Sequence, residues 1–352
     1  MSRSDRRVLV IGGGLAGMEA ARRLDRAGYR VVLVEQAARL GGNAANLSRL
    51  YPLGNSASEL LEEKLRQLSQ SGAEVRTGAR VVAASREDWG FRVTVTDDQG
   101  KTDEIEISAV VAATGFEYFD VRSYGEYGCG IYPGVVSGME LESHLREGNL
   151  SGLGLDRDRK ATVAFIQCVG SRDRYKGQAY CSRICCMYAT RQARQVRELL
   201  PGSRVYVFYM DVRAAGRGCE EYYQEAMQKS QVYYLRSRPS KVFPMEERLL
   251  LRFEDTLMGT PGELEADLVV LTGAMLPSPG NRELASLFGV QLDGDGFFCS
   301  QDLSQPLRAG ERVFFAGAAG FPVNTEEAMI QGAAAAGAVI EYLDGLINST
   351  EL

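Results

Sequence analysis

Four of the seven cysteines fall close together, as Cys168, Cys181, Cys185 and Cys186, in the pattern C-x12-C-x3-C-C. Thiolates are soft ligands, and four of them suit an iron–sulfur cluster or an all-thiolate zinc site. A zinc ribbon would prefer two separated C-x2-C knuckles, and a thioredoxin-reductase-type dithiol is a C-x2-C; neither is present. Read as one helix, positions 181 and 185 share a face and 186 lies about 100° round from them. Cys168 arrives from the end of a strand pattern at 161–167, so four sulfurs can surround a compact cubane. The competing reading is of small buried hydrophobes that include an inert vicinal pair. Cys129, Cys219 and Cys299 are isolated and read as structural. The single histidine, His144, follows a glutamate-rich stretch that reads as a surface helix. It leaves no material for a histidine triad or a multi-histidine zinc site.

A second set of residues points to a nucleotide. Gly12-x-Gly14-x-x-Gly17 directly follows a buried strand (7–11) and opens a helical pattern that stops at Gly28; the next strand (29–34) ends in Glu35. In that context the first glycine permits a tight turn and the second lets a pyrophosphate approach the backbone. The third lets helix pack on strand, which sets the phosphates at the positive end of the helix. Glu35 is placed to accept hydrogen bonds from an adenosine ribose, and its charge disfavours a 2′-phosphate. The alternative is a structural glycine turn in an α/β sheet. FAD is favoured over NAD by the further pair Gly41-Gly42, by Ala112-Ala-Thr-Gly115 and by Phe314-Phe-Ala-Gly317, which match segments of a flavoprotein pattern. One departure is Ala318, where that pattern carries an aspartate for the ribityl chain. The last helix begins Asn324-Thr-Glu-Glu327, a capping-box-like start whose backbone N–H groups can stabilise charge on a reduced flavin. Glu326 and Glu327 are expected to point away. Asn43 and Asn46, just past the glycine pair, are the candidates near flavin N5.

The elements that must position these groups read as β-α-β units, hence a doubly wound parallel sheet. A helix at 57–70, a strand near 73–77 and a hairpin at 91–96 and 103–107 lead to Ser108-Ala-Val-Val-Ala-Ala-Thr-Gly115. A near copy appears as Ala266-Asp-Leu-Val-Val-Leu-Thr-Gly273, which suggests two related nucleotide-binding-type domains. Between the copies, the strand 161–167, a helix over 182–200 and the strand 204–210 form a second unit; a strand at 312–316 and an alanine-rich helix from 325 to 343 close the chain. The expected layout is an FAD-binding domain of 1–150 plus 275–352, with 151–274 inserted. At the turn where the inserted unit needs its own phosphate glycines stands Cys168-Val-Gly170, with one glycine only. The expectation is a cluster standing where NAD(P)H would bind.

Composition agrees. The 39 glycines among 352 residues, with only 10 prolines, point to tight turns and close backbone approach to ligands. A net charge of −6 argues against nucleic acid. No apolar run reaches membrane-spanning length, and the basic start leads straight into a strand, so a soluble cytoplasmic protein is expected. The run 157–160 (RDRK) reads as a solvated inter-domain turn.

Cys168-Val-Gly-Ser-Arg-Asp173, Tyr180-Cys-Ser-Arg-Ile-Cys-Cys-Met-Tyr-Ala189 and Tyr209-Met-Asp-Val-Arg213, continuing into Gly216-Arg-Gly218 and Glu220-Glu-Tyr-Tyr223, resemble the A subunit of heterodisulfide reductase. The resemblance covers essentially the whole chain. It is to the short form of sulfur oxidisers, without the extra ferredoxin-like cysteine modules of methanogen subunits. It implies a thioredoxin-reductase-like α/β fold with two dinucleotide-binding domains. The second domain would carry one 4Fe–4S cluster on Cys168, Cys181, Cys185 and Cys186 in place of NAD(P)H, and the first one FAD. The FAD positions expected are Gly12, Gly14, Gly17, Glu35, Gly41, Gly42, Asn43, Val81, Thr114, Gly115, Gly317, Ala318, Thr325 and Ala328. The resemblance further implies a homodimer, partner subunits B and C that carry the sulfur chemistry, and an electron-transfer role in cytoplasmic sulfur oxidation. Without the ferredoxin-like modules, ordinary conversion between electron pairs and single electrons is expected, not bifurcation. Two other readings stand beside it: a stand-alone NAD(P)H-dependent flavin reductase, and a non-enzymatic redox-sensing or scaffold protein.

Overall fold

The computed structural model describes residues 2–158 and 160–350, the side chains of 347–350 excepted; Arg159 of the basic run lies outside the described residues. The chain divides into two compact units, the first formed by residues up to 45, 58–117 and from 276 on, the second by 46–57 and 118–275.

The first unit is built on a six-stranded sheet in the order Arg308–Gly310, Val313–Phe315, Ala109–Ala112, Arg7–Ile11, Arg30–Val34, Glu74–Arg76. All neighbours are parallel except the first pair, which is antiparallel. The three central strands are valine-rich and almost wholly buried, as a sheet covered on both faces requires. One face is covered by the helices Leu15–Arg26 and Thr325–Thr350, the other by an antiparallel sheet of Ala79–Glu87, Gly90–Asp97 and Thr102–Ile107. The two helices approach closely because Gly332 has no side chain: a Cβ there would sit 2.3 Å from the Ala16 carbonyl oxygen.

The second unit repeats this plan. Its sheet runs Val232–Arg236, Arg204–Tyr209, Thr162–Val169, Leu268–Gly273, Val135–Ser137, all parallel. The helices Gly138–Glu147 and Cys185–Leu199 cover one face, and the antiparallel strands Lys241–Pro244, Leu249–Asp255 and Thr260–Ala266 the other. The two near-copied segments occupy corresponding places, since Ala109–Ala112 and Leu268–Gly273 each pair with the leading strand of their own sheet.

The expected boundary at 150 is displaced. Val135–Ser137 pairs with Leu268–Gly273, so 118–150 belongs to the second unit and the chain crosses at 117. Residues 46–57 also leave the first unit for the second, where the Ser48 N–H and hydroxyl both donate to Glu142 Oε1, at 2.6 and 2.8 Å. The last helix continues past the expected 343, to Thr350.

Candidate cofactor sites

In the first unit, Gly12 leaves its strand at φ +111°, a conformation that suits glycine, and a Cβ there would lie 2.2 Å from the Ala113 carbonyl oxygen. A Cβ on Gly17 would lie 1.9 Å from the Gly12 carbonyl oxygen. Gly14, the N-cap of Leu15–Arg26, is different: its Cβ position meets nothing within 4 Å, so the backbone is open on that side. Gly42 stands opposite it, its Cβ position 3.3 Å from Gly14 Cα, and Gly41 N donates to Gly13 O at 2.8 Å. The two glycine turns thus form one small-residue cradle at a helix N-terminus, the arrangement a pyrophosphate requires. Glu35 is nearly buried; its carboxylate accepts from Gly13 N at 2.6 Å and Ala37 N at 2.7 Å, which fixes it beside the turn with lone pairs remaining for ribose hydroxyls.

The remaining flavin candidates of this unit fall into separate places. Thr114 Oγ1 donates to Asn281 Oδ1 at 2.6 Å, and Asn281, fully buried, is a partner the sequence did not single out. Gly115 adopts φ +72°. Asn43 spends its amide on Phe116 O at 2.8 Å. The Val81 side chain lies in the apolar core, and the strand register shifts just after it, so only its backbone is offered there. Gly317 (φ +66°) lies against Ala16 and Ala328, and Ala318 follows it nearly buried. Thr325 opens the last helix. The expected capping box is formed: Asn324 Oδ1 accepts from Glu327 N at 2.8 Å and Glu327 Oε2 from Asn324 N at 3.0 Å, while Glu326 is exposed. Asn46, the other N5 candidate, belongs to the second unit.

In the second unit the strand Thr162–Val169 is bulged at its carboxyl end. Ile166 is paired with Leu271 but Val169 with Gly273, so Gln167 and Cys168 together stand opposite Thr272. This is the topological place that the glycine turn occupies in the first unit. Cys168 takes φ +61°, and Arg172 and Arg183 take +58° and +62°. Three non-glycine residues in the left-handed region within one loop mark a backbone held against its own preference. Gly170 and Gly177 make the turn compact: a Cβ on Gly177 would lie 2.5 Å from the Gly170 carbonyl oxygen, and one on Gly170 would enter the Phe119 ring. Ser171 and Ser182, both buried, tie the loop ends together, Ser182 N donating to Ser171 Oγ at 3.0 Å.

The helix begins at Cys185, not at 182, so Cys181 stands in the loop before it and the helical relation expected between 181 and 185 does not hold; Arg183 in the left-handed region breaks the helix between them. Even so, the four thiols are near enough to act on one another. Cys168, Cys181 and Cys186 all act electrostatically on Cys185, and Cys186 and Cys181 on Cys168. Cys168, Cys185 and Cys186 are at most 3% exposed, and Cys181 is half-buried. The Cys185 thiol donates to the Cys186 sulfur; this raises Cys185 well above the usual thiol range, with burial adding, and lowers Cys186. Burial, reinforced by Cys186, pushes Cys168 up to about 12, with Arg172 acting the other way. Arg183 N donates to Cys181 Sγ at 3.3 Å. Cys185 and Cys186 are the first two residues of a long helix, where the backbone favours negative charge. Arg172 and Arg213, both paired to Asp211, add positive potential at the same thiols.

Among the described residues no group of three or more His, Cys, Asp or Glu is drawn together closely enough to hold a metal ion. By its chemistry the donor set suits an iron–sulfur cluster: four soft sulfurs, three of them buried, with Arg172 and Arg213 acting toward the thiolate form and burial acting against it. The other cysteines stand elsewhere in the fold. Cys129 lies in the core beside Tyr124 and Tyr127, Cys219 opens the helix Cys219–Gln228, and Cys299 is half-buried near Gln301. His144 is half-buried against Gly152.

Within its glutamate-rich stretch the sequence concealed Glu142, fully buried and paired at 2.5 Å with Arg191, which also donates to Ser48 Oγ at 2.8 Å. Only the spacing of Glu142 with Leu141 and Leu145 hinted at burial.

Residues 6–149 match the family described as pyridine nucleotide-disulphide oxidoreductase, which implies FAD. The chain is 30% identical to the iron-sulfur A subunit of the CoB–CoM heterodisulfide reductase of Methanocaldococcus jannaschii, over 95% of its own length and 64% of that protein's. Against one iron-sulfur A subunit of the corresponding reductase of Methanopyrus kandleri it is 31% identical, over 83% of its length and 57% of the relative's. The chain therefore spans less than two thirds of the length of these relatives. In fold it resembles the thioredoxin reductase of T. acidophilum, with a TM-score of 0.64 over 97% of this chain and 99% of that one at 19% identity. Among the described residues no helix is long and apolar enough to cross a membrane.

Proposed function

We propose that the chain, which is similar to the A subunits of heterodisulfide reductase and has the thioredoxin-reductase-like fold, is an oxidoreductase: an electron-transfer subunit carrying FAD in its first unit and a 4Fe–4S cluster in its second. The observation that supports this reading is the Cys168 turn: it occupies the carboxyl end of the leading strand, the place of the phosphate loop in the first unit, and Cys168, Cys181, Cys185 and Cys186 are near enough to act electrostatically on one another. Bound there, a cluster would exchange single electrons and FAD electrons in ones or twos.

The chain's own residues do the holding and tuning. Gly14 and Gly42 leave room for a pyrophosphate, and Glu35 is held by two backbone N–H groups in position to receive a ribose. Cys168, Cys181, Cys185 and Cys186 would hold the iron, the helix N-terminus and Arg172 and Arg213 offsetting the charge of four thiolates. We assign the chain to a heterodisulfide-reductase-like complex in cytoplasmic sulfur oxidation, as a homodimer, with separate partner subunits carrying the sulfur chemistry.

The test is a cofactor and metal count with visible and EPR spectra on anaerobically purified protein. About one flavin and about four irons per chain are expected. Zinc without iron overturns the cluster, and a chain without flavin overturns the first half of the reading.

A further inference from the structure

Two fully enclosed polar side chains have no hydrogen-bond partner at the bulge that presents Cys168. Neither amide atom of Gln167, 3% exposed, is paired, and neither is the hydroxyl of Thr272, 0% exposed. They belong to one place. The register shift sets Gln167 and Cys168 together opposite Thr272 on the neighbouring strand. Thr272 continues the face of Leu268 and Val270, which packs with Phe165, Ala189 and Ala193 beneath the helix that starts at Cys185. On that helix Tyr188, one turn after Cys185, donates its hydroxyl to Gly273 O at 2.8 Å and so pins the end of the Thr272 strand to the cysteine turn. A buried donor without an acceptor is costly and rare, and two at the register shift that carries Cys168 call for an acceptor that belongs to the site.

Resting on the cluster reading above, we propose that Gln167 Nε2 and Thr272 Oγ1 are hydrogen-bond donors to the sulfurs of the centre held by Cys168, Cys181, Cys185 and Cys186, and that they raise its reduction potential. An iron–sulfur cluster presents inorganic sulfide and thiolate sulfur, all of them acceptors. Its reduced form carries one more negative charge than its oxidised form, so a donor aimed at sulfur stabilises the reduced form more. No proton moves; the electron arrives from outside the cluster and the donors only weight the two states. Gln167 and Thr272 act through hydrogen bonds and are positioning residues, not ligands.

The test is an EPR-monitored redox titration of the anaerobically purified full chain, with iron counted in each sample. Gln167→Leu and Thr272→Val remove the donors with little change of shape; Thr272→Ser keeps the hydroxyl. Each loss is expected to move the midpoint to a more negative potential, with the reduced-to-oxidised ratio at a fixed poise falling about tenfold, which is ~59 mV for one electron. Thr272→Ser should stay near the unaltered value, and iron content should not change. In the unaltered protein, exchange into D2O should remove proton couplings from the reduced-cluster spectrum that Gln167→Leu lacks. Full iron with an unmoved midpoint in both variants overturns the proposal while leaving the cluster intact. If a variant loses iron, the D2O experiment on the unaltered protein decides, and absence of exchangeable couplings overturns it. Unaltered protein without iron defeats the cluster reading itself, and this proposal with it.

Discussion

A Cβ at Gly17 would sit 1.9 Å from the Gly12 carbonyl oxygen, whereas one at Gly14 would meet nothing within 4 Å, and Gly14 lies at φ −75°, which any residue adopts. The two glycines of one motif therefore serve different ends, one the packing of helix on strand and one the approach of a ligand. Gly14→Ala should leave the urea midpoint of the FAD-free chain within about 1 kcal/mol of the unaltered protein. The same change should weaken FAD by about tenfold or more, or about 1.4 kcal/mol, since the methyl fills the space the pyrophosphate needs. Gly17→Ala should instead destabilise the chain by about 3 kcal/mol or more, because the clash is with backbone. Flavin absorbance after reconstitution and urea unfolding separate the two effects; equal stability losses would refute the division of labour. This part of the site was legible in the sequence because it is local: strand, turn, helix and acid lie within a short stretch. At Cys181 local reading failed, since nothing in Ser182-Arg183 announces the left-handed turn at Arg183 that delays the helix to Cys185.

At the scale of elements, two carboxylates hold helices in place by opposite strategies. Glu19 on the Leu15–Arg26 helix is nearly buried and meets Arg22, Arg23 and Lys64 at 2.8, 2.6 and 3.0 Å. Burial pushes its carboxyl up, and the three cations together outweigh burial, bringing it from 4.5 to about 2. A carboxyl whose folded value lies below its unfolded value stabilises fully above the unfolded one and loses that contribution as pH falls through the folded one. The Glu19 contribution should thus be complete above pH 4.5, decline between 4.5 and 2, and be gone below. Glu19→Gln should lower the urea midpoint at pH 7 and less so near pH 3; an equal loss at both would remove the ionic explanation. Glu142 and Arg191 form instead an enclosed pair, with Gln192 Nε2 donating to Glu142 Oε2 at 2.7 Å and Ser48 joining from the 46–57 segment. Glu142→Ala leaves a buried guanidinium unpaired and should cost about 3–5 kcal/mol, while Glu142→Leu combined with Arg191→Met should recover most of it. The pair escaped sequence reading because its members are distant in the chain and a glutamate-rich helix ordinarily faces solvent.

At the scale of the whole molecule, the repeated apolar strands at Ser108–Gly115 and Ala266–Gly273 disclosed two units of one plan, because a parallel sheet buried on both faces writes its interior strands as continuous valine and leucine. The crossing point was not legible: it depends on Val135–Ser137 pairing with Leu268–Gly273, a long-range choice no local pattern records. The comparison of the two plans supports a last prediction. In the first unit the leading strand opens into glycines whose backbone is free on one side; in the second it opens into a bulge, a left-handed cysteine and a Gly170 whose Cβ position already lies 2.3 Å from a Phe119 ring atom. A nicotinamide dinucleotide needs bare backbone and helix N–H groups for its pyrophosphate at that place, and here the first turn of the helix carries Cys185 and Cys186 instead. NADH and NADPH should therefore fail to bleach the flavin absorbance in anaerobic stopped-flow mixing, whereas a one-electron reductant such as titanium(III) citrate should reduce both the flavin and the proposed cluster. Introducing a glycine by Cys168→Gly would remove one of the proposed cluster ligands but leave Cys185 and Cys186 at the helix start, so on the proposed reading that variant should lose iron without gaining NADH reactivity. Fast bleaching by either nicotinamide would show that the second unit still accepts a hydride donor and would favour a flavin reductase over an electron-transfer role.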